Sequence, residues 1–147
     1  MTIDVTSRIE IARPRAVVAA FSADPDNVPR WYVNIKSVEW KTPRPVQVGS
    51  RIAFVAQFLG QRLVYTYEIV DLVQGERLGM RTAEGPFPME TSYAWRDTRE
   101  GATHMALRNR GTPTGFSRLV APFIALAVRR STNRDLLRLK NILEAAH

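Results

Sequence analysis

The sequence predicts an α+β fold in which a curved antiparallel sheet of about seven strands wraps around one long C-terminal helix. Short stretches of alternating apolar and polar residues recur up to residue 107, and the short turns between them favour antiparallel neighbours. A helical pattern then runs from Phe116 to Ala145. A helix of about 30 residues is about 45 Å long, whereas strands of about eight to ten residues span about 30 Å, so the helix must lie across the sheet.

The first two elements are a strand and a short helix. Apolar and polar residues alternate from Ile3 to Ile11, which is typical of a half-buried strand. Pro14 suits the start of a helix, where its missing N–H costs nothing. The helix should end near Asp24-Pro25, because the residue before a proline is pushed out of the helical conformation. A loop or short helical turn that contains Trp31 should follow.

Six further strands are predicted between residues 38 and 107, separated by glycine and proline residues. Apolar side chains occupy alternate positions, so one face of the sheet is far more apolar than the other. We expect this inner face to turn toward the long helix. Its residues are Ile52, Phe54, Ala56, Phe58, Leu63, Tyr65, Tyr67, Ile69, Leu78, Met80, Met89, Tyr93, Trp95, Met105 and Leu107.

The long helix has two parts of different character. The part from Phe116 to Val128 is apolar on nearly every side, and such a helix is buried or faces something apolar. From Arg129 onward the apolar residues form a narrower stripe among charged residues. Pro122 lies in the first part, where it predicts a kink or a fresh helix start because it removes one backbone hydrogen bond.

Composition predicts a single domain that spans residues 1–147. The absence of cysteine excludes disulfides, thiolate metal sites and cysteine nucleophiles. The N-terminus lacks the pattern of a secretory signal, and no apolar run approaches the length of a membrane span. We therefore expect a soluble, cytoplasmic protein, as a monomer or homodimer, with no integral membrane segment.

The chain is basic, with 21 lysines and arginines against 14 acidic residues and a net charge of +7. Such a balance can attract nucleic acid or anionic lipid. The basic residues are nevertheless spread over every segment, which is also typical of a solvated surface. No specific nucleic-acid partner is predicted.

The usual catalytic and cofactor motifs are missing from the sequence. His104 is the only internal histidine, and its strand position directs it outward together with Glu68 and Glu90, which argues against a paired-carboxylate site. Two histidines do not make a metal site. The chain contains no phosphate-binding loop, nucleophile elbow or dinucleotide fingerprint. We therefore predict no metal and no cofactor.

The order of elements resembles that of the START-like superfamily, also called SRPBCC or Bet v 1-like. Several stretches resemble its polyketide cyclase/dehydrase-like branch: Ile9-Glu10-Ile11 leading to Pro14, Asp24-Pro25 followed by Pro29-Arg30-Trp31, Tyr67-Glu68-Ile69-Val70, and Leu139-Lys140-Asn141-Ile142-Leu143-Glu144. The resemblance covers almost the whole chain and implies a helix-grip fold. The order of the motifs is more specific than any one of them.

The resemblance also implies a function, since members of this superfamily hold a lipophilic ligand between sheet and helix. The expected function is binding of a hydrophobic or amphipathic small molecule, such as a lipid or polyketide, by a carrier or sensor. One alternative is a polyketide cyclase/dehydratase-like enzyme, although no recognisable set of cyclase catalytic residues and no Rieske-linked motif is present. A second alternative is a basic surface module for anionic lipid or nucleic acid.

Each of these three functions has its own candidate residues. The inner face of the sheet can either border a ligand cavity or form a solid core, and the sequence leaves both open. Trp31 can gate the cavity or plug the loop. The ligand-binding candidates are Trp31, Phe54, Phe58, Tyr65, Tyr67, Met80, Tyr93, Trp95, Met105 and Phe123. An enzyme would use Tyr65, Tyr67, Tyr93 and either Arg81 or Arg108, and a basic surface would use Arg118, Arg129, Arg130, Arg134 and Arg138.

Overall fold

Seven strands and three α-helices make up the part of the chain that the computed structural model describes, residues 3–58, 60–85, 88–112 and 121–146. A single 3-10 turn, Pro25–Asn27, leads into the second helix. In chain order the elements are β1 (Ile3–Ile11), α1 (Arg15–Ser22), α2 (Val28–Trp31), β2 (Ile35–Trp40), β3 (Arg51–Phe58), β4 (Gln61–Val73), β5 (Arg77–Glu84), β6 (Met89–Arg99), β7 (Ala102–Gly111) and α3 (Ala121–Ala145).

All seven strands belong to one antiparallel sheet in the order β1-β7-β6-β5-β4-β3-β2. Register shifts interrupt the pairing in β2, β4 and β6. Such bulges bend a strand and increase its twist, which helps the sheet curl around the helix. The helix-grip prediction is confirmed. Several strands are longer than predicted, because β4 and β7 continue past the apolar alternation that marked them in the sequence.

The long helix α3 follows β1 along its length. The Thr132 hydroxyl is 2.7 Å from that of Ser7, and farther along α3 the Glu144 carboxylate accepts a 2.8 Å hydrogen bond from the Ala12 backbone N–H. Between them, Lys140 Nζ donates to the Glu10 carbonyl. From Thr132 to Glu144 the helix advances by about 18 Å, and from Ser7 to Ala12 the β1 segment advances by about 17 Å. The two elements therefore run side by side over this length.

The inner face of the sheet forms most of the main hydrophobic core. Ile52, Ile69, Leu78, Met105 and Leu107 are essentially inaccessible to solvent. From the C-terminal half of α3, the core receives the residues of the predicted stripe, Leu136, Leu139 and Leu143. The alternation read from the sequence therefore identifies the buried side of the sheet correctly.

The first turns of α3 differ from the prediction. Residues 116–120, where the helix was expected to begin, lie outside the described residues, and Pro122 lies in the first turn of the described helix. Among residues 122–128, only Ile124 is buried, whereas Phe123 is 71% exposed and Leu126 is 45% exposed. Helical residues turn by about 100° each, so side chains next to or two positions beyond Ile124 cannot share its direction.

Within the described residues, no helix is both long and apolar enough to cross a membrane.

The two leucines at positions 137 and 139 provide a test of how α3 packs on the sheet. Leu139 is fully buried in the core and Leu137 is 52% exposed on the other side of the helix. We expect Leu139→Ala to lower the free energy of unfolding by about 2–5 kcal/mol, because it leaves a cavity. Leu137→Ala should change it by less than about 0.5 kcal/mol. Urea denaturation measures both, and equal losses would contradict this orientation of α3.

Candidate functional site

A narrow space, here called the inner cleft, lies between α3 and the strands β3 and β4. Its volume is about 160 Å³. The curved sheet supplies one wall and α3 supplies the other, so side chains from distant parts of the sequence meet there. The lining residues are Ile3, Tyr32, Asn34, Ile35, Phe54, Ala56, Leu63, Tyr65, Tyr67, Met89, Asn109, Ile124, Val128, Ser131, Thr132 and Asp135.

The inner cleft changes in polarity along α3. Ile124 and Val128 line it near the helix start, where they pack with the β1 residues Ile3 and Val5. Asp135 lines it about 16 Å farther along the helix axis. One end is therefore apolar, and the other contains a carboxyl group.

Asp135 is a buried acid with only 2% of its surface exposed. Its Oδ1 accepts a 3.0 Å hydrogen bond from the Val33 backbone N–H. Burial raises the pKa of Asp135 to about 6, and this effect outweighs the lowering of its pKa by the Val33 hydrogen bond and by Arg134 and Arg138. Near neutral pH the cleft therefore contains a carboxyl group that titrates.

Two tyrosine hydroxyls meet close to Asp135. The hydroxyl of Tyr32, at the end of α2, is 2.7 Å from the Tyr93 hydroxyl on β6. Burial raises the pKa of Tyr32 well above its usual value, and the negative charges that Tyr93 and Asp135 can carry raise it further. Burial also raises the pKa of Tyr93. Both phenols therefore stay protonated and can act as hydrogen-bond donors.

A second polar chain lies on the sheet side of the cleft. The Thr91 hydroxyl donates to Asn109 Oδ1 at 2.7 Å. Tyr67 hydrogen-bonds Thr91, which partly offsets the rise in the Tyr67 pKa that burial causes. Burial raises the pKa of Tyr65 to about 12. The tyrosines thus bring polar groups into a mostly apolar wall. Small-molecule sites use such groups to fix the orientation of the ligand.

Three of the ten predicted ligand-binding residues line the inner cleft, namely Phe54, Tyr65 and Tyr67. Tyr93 lies behind the lining and contacts it through Tyr32. Phe58 belongs to β3, but its side chain lies outside what the structure describes. The other candidates lie elsewhere: Met80, Met105, Trp95 and Trp31 are buried in the core, and Phe123 points to solvent.

Trp31 belongs to a short helix, one of the two forms predicted for this segment, and lines neither the inner cleft nor the space beside α1. It is the last residue of α2 and is completely buried, with ring centroids 4.3 Å from Tyr32 and 5.7 Å from Tyr93. Among the described residues its Nε1–H has no acceptor. Of the two roles considered for Trp31, the structure supports the plug, because a side chain packed in the core cannot gate a ligand without local unfolding.

The cleft residues missed by sequence analysis come mainly from outside the strands. Tyr32 and Asn34 follow α2, and Asp135 and Thr132 belong to the charged part of α3. Asp135 is one of the charged residues that accompany the apolar stripe after Arg129, and the sequence pattern did not single it out. A helical wheel centred on Leu139 would have placed Asp135 near the buried side.

A larger space, about 1070 Å³, opens at the other end of the sheet between α1 and residues 44–46. We call it the outer cleft. Both arginines that line it are already paired, since Arg44 contacts Asp26 at 2.8 Å and Arg15 contacts Asp97 at 3.4 Å. Although it is larger, it brings together no buried titratable groups like those of the inner cleft, so we base the candidate site on the inner cleft.

The arginine candidates for an enzyme lie on the other face of the sheet. Arg108 forms an ion pair with Asp4 at 2.6 Å, and Arg81 is exposed opposite Glu90. His104 faces the same side, between Glu10 and Arg96. Within the described residues, no three histidine or acidic side chains gather as a metal site requires.

Comparison with known proteins agrees with the fold. Residues 2–144 match the profile of the family described as polyketide cyclase/dehydrase and lipid transport. No curated protein resembles the chain closely in sequence.

Several solved structures share the fold at low sequence identity. A START superfamily protein from Mycobacterium smegmatis has a TM-score of 0.85 at 12% identity, with 99% of each chain covered. The ZhuI aromatase/cyclase from a Streptomyces species has a TM-score of 0.80 at 17% identity, with 98% of this chain and 94% of that chain covered. Ginseng major latex-like protein 151 from Panax ginseng has a TM-score of 0.68 at 17% identity, with 92% of this chain and 95% of that chain covered.

The buried acid predicts a specific dependence of stability on pH. The native state keeps the Asp135 proton up to about pH 6, whereas the unfolded chain loses it near its ordinary value of 3.8. The contribution of Asp135 to stability therefore falls as pH rises through this window. The substitution Asp135→Asn should remove this loss of stability, and the asparagine Oδ1 can still accept the hydrogen bond from the Val33 backbone N–H. We expect the variant to gain up to about 3 kcal/mol over wild type between about pH 4 and pH 7.

Urea titrations of both proteins across this pH range measure the difference. If the difference in free energy of unfolding between the variant and wild type does not change with pH, the raised pKa assigned to Asp135 is wrong. Asp97→Asn is the matched control, because that carboxylate is exposed and should show no comparable gain.

Proposed function

Because the chain belongs to the polyketide cyclase/dehydrase and lipid transport family, we propose that it reversibly binds a hydrophobic or amphipathic small molecule in the inner cleft. The observation that carries this proposal is the gradient of the cleft, from isoleucine and valine at one end to a carboxyl group and phenols at the other. Such a site suits a ligand with an apolar body and one polar end.

The polar end of the ligand would lie near Asp135. At neutral pH this carboxyl is largely ionised, since its pKa is about 6. A ligand carboxylate placed beside it would be repelled in a poorly solvated site, whereas a ligand hydroxyl can donate a hydrogen bond to it. The site therefore favours an alcohol or phenol over a fatty acid that enters head first.

The size of the cleft limits how much of a ligand it holds. Its volume of about 160 Å³ is below the range of about 300–1,000 Å³ for sites that enclose drug-sized molecules. A lipid or polyketide would insert one ring or a short chain segment, and the rest would lie outside. This arrangement suits reversible binding by a carrier or sensor.

One observation favours the enzyme alternative. A buried carboxyl with a pKa of about 6, close to two protonated phenols, resembles the general acid–base groups that catalyse proton transfer. In a cyclase/dehydratase-like reaction, Asp135 would remove a proton next to a ketone while the Tyr32 or Tyr67 hydroxyl stabilises the charge on the ketone oxygen. The arginine candidates would take no part, because they lie on the outer face of the sheet.

Thermal unfolding with 1-dodecanol and dodecanoic acid tests the binding function. A ligand that binds only the native state raises the melting temperature by mass action, by an amount equivalent to about 2.7 kcal/mol at 100 times its Kd. We expect the alcohol to give the larger shift near pH 7.5, and Asp135→Asn to narrow the difference. Equal shifts in wild type, or no shift with either compound, would contradict the proposal.

A space-filling substitution locates the binding. Ala56→Phe places a ring in the inner cleft and should abolish the shift with 1-dodecanol. Ala94→Phe is the matched control, because Ala94 is exposed on the outer face of the same sheet. The melting temperature of each free variant shows whether it folds. Loss of the shift in Ala94→Phe alone would exclude the inner cleft as the site.

A poly-β-ketone thioester provides the test of the enzyme. If chemistry occurs, Asp135→Asn should lower kcat by at least about 100-fold with little change in ligand affinity, as expected for loss of a general base. Absence of turnover by wild type would leave the carrier function. Turnover that Asp135→Asn does not change would exclude Asp135 as the base.

A further inference from the structure

Four arginines of α3 form no ion pair among the described residues, although they lie close together on one helix. Nine ion pairs are present among the described residues, and they neutralise basic residues of the sheet, the loops and the end of α3. None includes Arg129, Arg130, Arg134 or Arg138. Arg129 and Arg138 donate to backbone carbonyls, which leaves their charge in place.

The acidic residues of α3 offset these charges only in part. The helix contains two, Asp135 and Glu144. Asp135 is buried beside the inner cleft, and Glu144 is paired with Lys140 at 2.8 Å near the C-terminal end. The exposed side of α3 is therefore strongly cationic from Arg129 to Arg138.

The same side of the helix exposes large apolar residues. At about 100° per residue, Phe123, Leu126, Arg130, Arg134 and Leu137 lie within a sector of about 80°. We call this sector the outer stripe. It extends about 21 Å along the axis, and its three apolar members are among the most exposed large hydrophobic residues of the described chain. The residues that line the cleft point the opposite way.

We propose that the outer stripe docks the protein on the surface of an anionic phospholipid bilayer. Arginines would contact lipid phosphates and carboxylates, while Phe123 and the leucines would enter the boundary between headgroups and acyl chains. This combination of cationic and apolar residues on one face of a helix complements a lipid surface. A nucleic acid would match the arginines but would leave three large apolar side chains without a suitable partner.

Docking in this orientation has a consequence for the inner cleft. Ile124 and Val128 line the apolar end of the cleft from the helical turns that carry Phe123 and Leu126 on the other side. A helix with its side chains is about 10–12 Å across. The apolar end of the cleft would therefore lie about one helix diameter from the lipid surface.

Sedimentation with phosphatidylcholine vesicles, with and without phosphatidylserine, measures the docking. We expect binding only to vesicles that contain phosphatidylserine, and a marked loss when sodium chloride rises from about 0.1 M to about 0.5 M. Arg130→Gln with Arg134→Gln should weaken binding by about 25-fold, at about fivefold for each arginine. Phe123→Ser with Leu126→Ser should weaken it by about tenfold, because apolar surface no longer leaves water.

Matched double variants separate the stripe from general charge and general hydrophobicity. Arg8→Gln with Arg96→Gln removes two charges from the outer face of the sheet, and Val64→Ser with Val70→Ser removes two exposed apolar residues from β4. Both should bind within about twofold of wild type. If either control weakens binding as much as the stripe variants do, or if wild type does not sediment with anionic vesicles, the proposal is wrong.

A duplex DNA competitor tests the other anionic partner. Displacement of the protein from vesicles by DNA, together with no effect of the Phe123 and Leu126 substitutions, would overturn the proposal in favour of nucleic acid. The test is independent of the proposed ligand binding, because no residue of the outer stripe lines the cleft. Stripe variants should retain the melting shift with 1-dodecanol, and Ala56→Phe should still bind vesicles.

Discussion

The alignment of α3 with β1 is the constraint on which the rest of the structure depends. Hydrogen bonds join the two elements from Thr132 and Ser7 in the middle to Glu144 and Ala12 near the end. Since helix and strand advance in step over this length, the helix is fixed along one edge strand of the sheet. The strands β3 and β4, at the opposite side of the curled sheet, are then too far away for α3 to contact closely along their length. The inner cleft is the space that remains, and it is a consequence of how the helix is anchored.

The polar end of the cleft depends on the same anchoring. Asp135 is carried into the interior because it lies just over one helical turn before Leu139, which is buried in the core on the same side of α3. Burying an acid is costly, and one hydrogen bond from Val33 compensates only in part, so the pKa rises to about 6. The packing of the leucines thus holds a destabilising group in place. A buried carboxyl that weakens the fold at neutral pH is the kind of strain that proteins tend to keep at functional sites.

Sequence analysis predicted the fold better than it predicted the site, for a physical reason. Strand periodicity places every second residue on one face, so the inward positions of Phe54, Tyr65 and Tyr67 could be identified directly. The same rule cannot distinguish a residue that borders a cavity from one that is packed in a core. Met105 has the inward parity but is fully buried in the core, and Trp95 belongs to the core and lines the outer cleft. Tyr32 follows a short helix and has no periodic pattern around it. The partners of its hydroxyl depend on how β6 reaches α2, which is a tertiary contact.

The charged residues are arranged less evenly in the structure than along the sequence. Along the sequence the arginines are spread over every segment, which is typical of an ordinary solvated surface. On the sheet, antiparallel pairing places many of them opposite acidic residues, as with Arg51 and Glu68 or Arg110 and Glu90. Helix α3 has no neighbouring strand on its outer side, so its arginines obtain no such partners. The helix that closes the cleft therefore carries a cluster of arginines without ion pairs, and the exposed side chains of Phe123 and Leu126 lie on the same side of this helix, nearer its start.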